Sequence, residues 1–170
     1  MNDLLTYLRR LAKQLNDNIV LPNRGGCCVI SAEIAEHLER IVPVRIRVSN
    51  DWVDEDDDCN LNEMVDYLGC TVGDHDAWND NDIAFGHVIV EFDYNGRTYH
   101  MDTSGVKLAK KRDPSFGWLM YDGHLPLHAA KALAAQQGNW NKRFDRAQIP
   151  RVKKIVEESF AQLPLTQIAV

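Results

Sequence analysis

The pair Asn95-Gly96 sits between two stretches of alternating apolar and polar residues, and no other feature limits the fold as tightly. Asn-Gly is the favoured two-residue type I′ turn, because both central residues need positive φ. It predicts a hairpin with strands over 83–94 and 97–102 and Tyr94 opposite Arg97. Counting back, Glu91 faces His100, Ile89 faces Asp102 and His87 faces Ser104. Side chains alternate between faces along a strand, so His87, Ile89, Glu91, Thr98, His100 and Asp102 share one face. Asp102 is then the diagonal cross-strand neighbour of His87, with Cβ atoms roughly 7–8 Å apart. A carboxylate there accepts from one imidazole nitrogen and fixes the ring's tautomer and orientation, leaving the other nitrogen for a nucleophile.

Around this hairpin the periodicity predicts further elements. Leu4, Leu5, Leu8, Leu11, Ala12 and Leu15 form one apolar stripe, a helix over 2–15. Asn16 to Gly26 carries Asn, Pro and Gly and reads as a loop. A second helix is expected from about Cys27 to Ile41. Val44, Ile46 and Val48 alternate with Arg45, Arg47 and Ser49 in a half-buried strand over 43–49. Asn60 and Glu63 resemble a capping box opening a short helix over 61–68, closed by Gly69. Later helices are expected over 126–137, with Pro126 near its start and Gly138 after its end, and over about 151–163. Helices, then strands, then helices predict an α+β fold with an antiparallel sheet and flanking N- and C-terminal helices.

The 170 residues make a single domain, 1–170, with no internal repeat and no Gly/Ser linker. A net charge of −6 argues against a nucleic-acid partner. No apolar run approaches the ~20 residues of a membrane helix. The first residues lack a secretory pattern, so the expected location is cytoplasmic. In a reducing compartment Cys27, Cys28, Cys59 and Cys70 are expected as free thiols, and a special cysteine is then special for its reactivity.

Cys27 draws the eye next. On a helical wheel Ile30, Ile34, Leu38 and Ile41 fall on one side of the second helix, with Cys27 in the middle of that side. A helix buries such a face against the sheet. Its first residue then looks toward the sheet's end, where His87 is expected. Exposed N–H groups and the positive end of the helix dipole favour a thiolate at this position. Gly25-Gly26 lets the chain turn sharply into the helix and lets a substrate approach the backbone, and the same amides suit an oxyanion. Cys28 is the rival nucleophile, about 100° round the helix, beside Ala32 and Ala35.

Gly26-Cys27, with Ser31, Ile34 and Leu38 after it and Pro43-Val44-Arg45 beyond, resembles the nucleophile helix of the transglutaminase-like superfamily. His87-Val-Ile-Val-Glu-Phe, Asn95-Gly96-Arg97, Tyr99 and Met101-Asp102-Thr103 resemble that family's His and Asp strands, in the same order. The helix is also similar to that of papain-type peptidases, whose Cys-Trp-Ala-Phe-Ser-Ala lies over Cys27-Cys-Val-Ile-Ser-Ala. The resemblance covers roughly 22–49 and 85–105. It departs in a helix-to-strand link about one residue short and lacking the family's Gly, and in a second Cys where the neighbour is aromatic. It implies a nucleophile helix packed on an antiparallel sheet and a Cys-His-Asp triad: Cys27 as nucleophile, His87 as general base and acid, Asp102 as orienter. The expected activity is acyl hydrolysis or acyl transfer on a peptide or protein substrate through a thioester, with no cofactor and no metal. The alternative is a catalytically silent protein-binding module on the same fold.

Other groups have plainer readings. His100 and Glu91 make a cross-strand pair. Asn23 is a turn residue that also stands near enough to the nucleophile to donate to an oxyanion. Fourteen of the 25 acidic residues, and no Lys or Arg, fall between Arg47 and Arg97. If that acidic stretch rims the cleft, a cationic substrate is favoured. Neither Asp54-Glu55-Asp56-Asp57-Asp58 nor Asp74, Asp76, Asp80 and Asp82 has calcium-loop order. Cys59, Cys70 and His75 lack the paired spacing of a zinc site.

Overall fold

The computed structural model describes residues 3–22, 26–50, 85–109, 121–135 and 144–163. Within them the fold is α+β. Helix α1 is Leu4–Asn18 and α2 is Cys27–Leu38. Strands β1 (Val44–Asn50), β2 (Phe85–Tyr94), β3 (Arg97–Asp102), β4 (Gly105–Leu108) and β5 (Tyr121–Leu125) follow. Helix α3 (Leu127–Ala135), a short 3-10 turn (Arg146–Gln148) and α4 (Ile149–Ala161) complete the described chain. The expected helix over 61–68, both acidic stretches, Asn23, Cys59, Cys70 and His75 lie outside the described residues.

The five strands form one antiparallel sheet in the order β4-β3-β2-β1-β5. The hairpin register is the one that Asn95-Gly96 predicts: Tyr94 pairs with Arg97 and Glu91 with His100. Both turn residues have positive φ, 51° at Asn95 and 69° at Gly96, as a type I′ turn demands. Alternation then sorts the sheet into two faces. Ile46, Val88, Val90, Phe92, Tyr99 and Met101 join the core with the helices, and the rings of Phe92 and Tyr99 stack at 5.6 Å. Burying a side chain of the size of Phe92, which is fully enclosed, stabilises the fold by about 1.5–3 kcal/mol.

Helix α2 is not a surface helix with one apolar face. Nine of its twelve residues are buried, because it packs against the sheet on one side and against α3 and α4 on others. Helix α1 keeps the expected stripe, burying Leu4, Leu8, Leu11, Ala12 and Leu15, and runs three residues beyond the expected end. Helix α4 starts earlier than expected because Pro150 lies in its first turn, where a missing N–H costs nothing. No helix among the described residues is long and apolar enough to cross a membrane.

Candidate active site

Three chain segments deliver the side chains. Cys27 is the first residue of α2, and among the described residues no side chain caps that helix end. Its first-turn amides therefore have no partner from a capping side chain. The chain enters through Leu21, whose φ is +54°, a conformation that costs a non-glycine residue roughly 1–2 kcal/mol. The Gln148 side chain clasps the loop just before it. The Val20 N–H donates to Gln148 Oε1 at 2.7 Å, and Gln148 Nε2 donates to the Val20 carbonyl at 3.2 Å.

Gly26 has ordinary dihedrals, φ −89° and ψ −11°, so a sharp turn is not what requires glycine there. Space is the reason. A Cβ at this position would lie 2.5 Å from the Phe144 ring and 2.7 Å from the Pro22 carbonyl oxygen. The expectation for Gly25 falls outside the described residues.

His87 and Asp102 meet as the hairpin register predicts. His87 Nε2 is 3.0 Å from Asp102 Oδ2, with both side chains mostly enclosed. Asp102 Oδ1 accepts the Ser104 N–H at 2.7 Å, so both carboxylate oxygens are fixed. The Cys27 side chain is also a hydrogen-bond partner of the His87 ring. With Nε2 committed to Asp102, Nδ1 is the nitrogen left for the sulfur. Alternation puts His87 on the sheet face away from Val88. The meeting with Cys27 takes place at the end of β2 where the register with β1 shifts, between Ser49 and Asn50.

The electrostatics follow from this arrangement. Burial pushes the His87 ring down, but hydrogen bonds to Asp102 and Cys27, and the charges of both, outweigh it and raise the ring to about 9. For Asp102, burial pushes the carboxyl up. The hydrogen bond and charge of His87 and the Ser104 amide and hydroxyl outweigh that and hold it below its usual range.

Cys28 goes elsewhere. It is fully buried, and its thiol donates to the Ala130 carbonyl on α3 at 3.4 Å. Burial first, and neighbouring Cys27 second, push the Cys28 thiol well above the ordinary thiol range. Such a sulfur is a core group held in its protonated form. Both cysteines are free thiols.

The same sheet face carries a charge cluster of which the sequence reading names one pair. Glu91 Oε2 is 2.9 Å from His100 Nε2, as expected. Glu91 Oε1 also takes Arg45 Nε at 2.8 Å and lies 3.1 Å from His124 Nε2. Arg47 Nη1 stands 2.9 Å from His100 Nε2. Alternation along 43–49 put Arg45 and Arg47 on one face. That this face lies over Glu91 follows from β1 pairing with β2, which the sequence pattern does not specify. Burial pushes Glu91 up, while its hydrogen bonds with His100 and Arg45 and the charges of His124 and Arg45 bring it below its usual range.

Among the described residues, no group of three or more His, Cys, Asp or Glu side chains is placed to hold a metal ion. No family model, curated protein or solved structure matches the chain.

Proposed function

We propose that the chain is a thiol-dependent acyl hydrolase or acyltransferase of the transglutaminase-like or papain-like kind, working through a thioester at Cys27. One observation carries the reading: a single imidazole, His87, is held by Asp102 at 3.0 Å on one nitrogen and shares a hydrogen bond with the Cys27 side chain. Nucleophile, base and orienting acid in this order are the arrangement that activates a weak nucleophile. A nucleophile at the start of a central helix, beside an antiparallel sheet that bears the His and Asp, also agrees with the resemblance in the sequence.

In this scheme His87 takes the proton of the Cys27 thiol, and the sulfur attacks the carbonyl carbon of a peptide or protein amide. The tetrahedral oxyanion is held by first-turn amides of α2. His87 gives its proton to the departing amine, and the C–N bond breaks to leave a thioester. Water, activated by the now neutral ring, then releases a carboxylic acid, or a second amine accepts the acyl group. Asp102 keeps the ring oriented and balances the imidazolium charge throughout. No step calls for a cofactor.

The second reading, a protein-binding module with a closed site, draws on Cys27 being only 6% exposed. Acyl-enzyme trapping separates the two. After incubation with a p-nitrophenyl acyl ester and an acid stop, intact mass and peptide mapping should show one acyl group on Cys27, removable by added amine. Cys27→Ala and His87→Ala should carry none. A folded wild-type protein with Cys27 unmodified would overturn the enzymatic reading in favour of the binding module.

A further inference from the structure

Ser31 lies four residues after Cys27, one turn along α2, and is 2% exposed. A hydroxyl is poorly suited to such a place. In a helix interior, serine ordinarily faces solvent or turns back to the carbonyl four residues earlier, which here is that of Cys27. Ser31 does neither: its Oγ donates across to the Val88 carbonyl on β2 at 3.0 Å. Val88 is the residue after His87. The two adjoining residues of β2 are thus tied to two residues one turn apart on α2, through the Cys27–His87 and Ser31–Val88 hydrogen bonds.

Apolar packing around α2 is close but non-directional, so a hydrogen bond adds a restraint on register that packing supplies less sharply. Two contacts a turn apart restrain both the rotation of α2 and its distance from β2 beside His87. From this geometry we infer that Ser31 is a positioning residue, which holds the nucleophile helix in register with the His87 strand so that the Cys27 sulfur and the His87 ring stay within reach. The inference rests on the acyl-transfer reading, and it names a part of the machinery that touches neither substrate nor reacting atoms. Among the described residues, Cys27 from α2 and Asp102 from β3 are hydrogen-bond partners of the His87 ring.

The test needs no substrate. Ser31→Ala should fold, because alanine favours the helix. In that variant iodoacetamide alkylation of Cys27 at pH 6 should fall about tenfold, in line with the sensitivity of paired groups to small displacements. The His87 ring, followed by NMR, should titrate closer to its ordinary value than in the wild type. Ser31→Thr, which keeps the hydroxyl, should recover most of the alkylation rate. Ser159→Ala is the control for a merely structural serine. Ser159 is also buried and donates to Gln14 Oε1 at 3.1 Å, and its loss should lower thermal stability while leaving both readouts unchanged.

Wild-type alkylation and titration profiles in Ser31→Ala would overturn the inference. Should Ser31→Ala not fold, the NMR scalar coupling across the hydrogen bond, from the Ser31 hydroxyl proton to the Val88 carbonyl carbon, decides in the unaltered protein: its presence supports the strap, and its absence refutes it. Failure of the acyl-transfer reading looks different, since wild-type Cys27 would then alkylate no faster at pH 6 than a free thiol.

Discussion

Replacing Asp102 by asparagine keeps the side chain's shape and removes its charge. His87 stands at about 9 against an ordinary 6.5. At about 1.36 kcal/mol per pH unit, that difference favours the imidazolium by roughly 3 kcal/mol. Burial opposes the rise, and Asp102 and Cys27 each contribute to it through a hydrogen bond and a charge, the Asp102 hydrogen bond being the largest of the four. Asp102→Asn should therefore lower the His87 titration midpoint by about 1–2 units and cost about 2 kcal/mol of stability near pH 6. A raised His87 value stabilises the fold fully below about 6.5 and ceases to as pH rises through about 9. A lowered Asp102 value stabilises above its ordinary 3.8 and ceases to as pH falls through the folded value. The window in which both act is about pH 4–6.5. The assay is urea unfolding of wild type and variant at pH 6 and at pH 10, with NMR titration of the His87 Cε1 proton. The stability difference should be largest at pH 6 and shrink by more than half at pH 10. An equal difference at both pH values, or an unmoved His87 titration, would refute the charge-pair account.

Cys28→Ala should cost about 1–2 kcal/mol in urea unfolding through loss of buried sulfur, and peptide mapping should show the alkylation rate of Cys27 unchanged. Gly26→Ala should cost about 1–3 kcal/mol, since the added Cβ overlaps the Phe144 ring and the Pro22 carbonyl; a paired Phe144→Leu should return only part of the loss, because the carbonyl clash remains. Glu91→Gln should cost about 2 kcal/mol at pH 7, because the mostly enclosed Arg47 and the buried His100 lose their charged partner while Arg45 and His124 keep their contact with solvent. That cost should diminish as pH falls and the wild-type carboxylate protonates, which acid-limb urea titrations of both proteins would reveal.

How far the sequence reached can be read from particular residues. Asn95-Gly96 determined the hairpin register, and the register placed Asp102 beside His87, because a two-residue turn and a period of two leave no freedom in between. The apolar stripe of α1 was equally plain. Strands β4 and β5 were not legible. Gly105–Leu108 has four residues, and Tyr121–Leu125 has Gly123 at its centre, so neither carries an alternation long enough to read. The enclosure of α2 was hidden for a related reason: Cys28, Val29 and Ala32 are small or apolar, and periodicity cannot say which neighbours cover them. That Cys28 is a core thiol depends on the position of α3, whose Ala130 carbonyl takes it up. The spatial need for Gly26 likewise depended on Phe144, more than a hundred residues away. Long-range packing decides such matters, and local pattern carries no record of it.

In the proposed reading Cys27 and His87 form one chemical unit. The most direct test of this is the rate of iodoacetamide alkylation at Cys27, mapped by mass spectrometry between pH 5 and pH 10, in wild type and in His87→Ala. An ordinary thiol with a value near 8.5 is only about 0.3% ionised at pH 6. Wild-type Cys27 should react at pH 6 at least about tenfold faster than such a thiol, and His87→Ala should show the slow, free-thiol profile. Superimposable profiles in the two proteins would contradict the account.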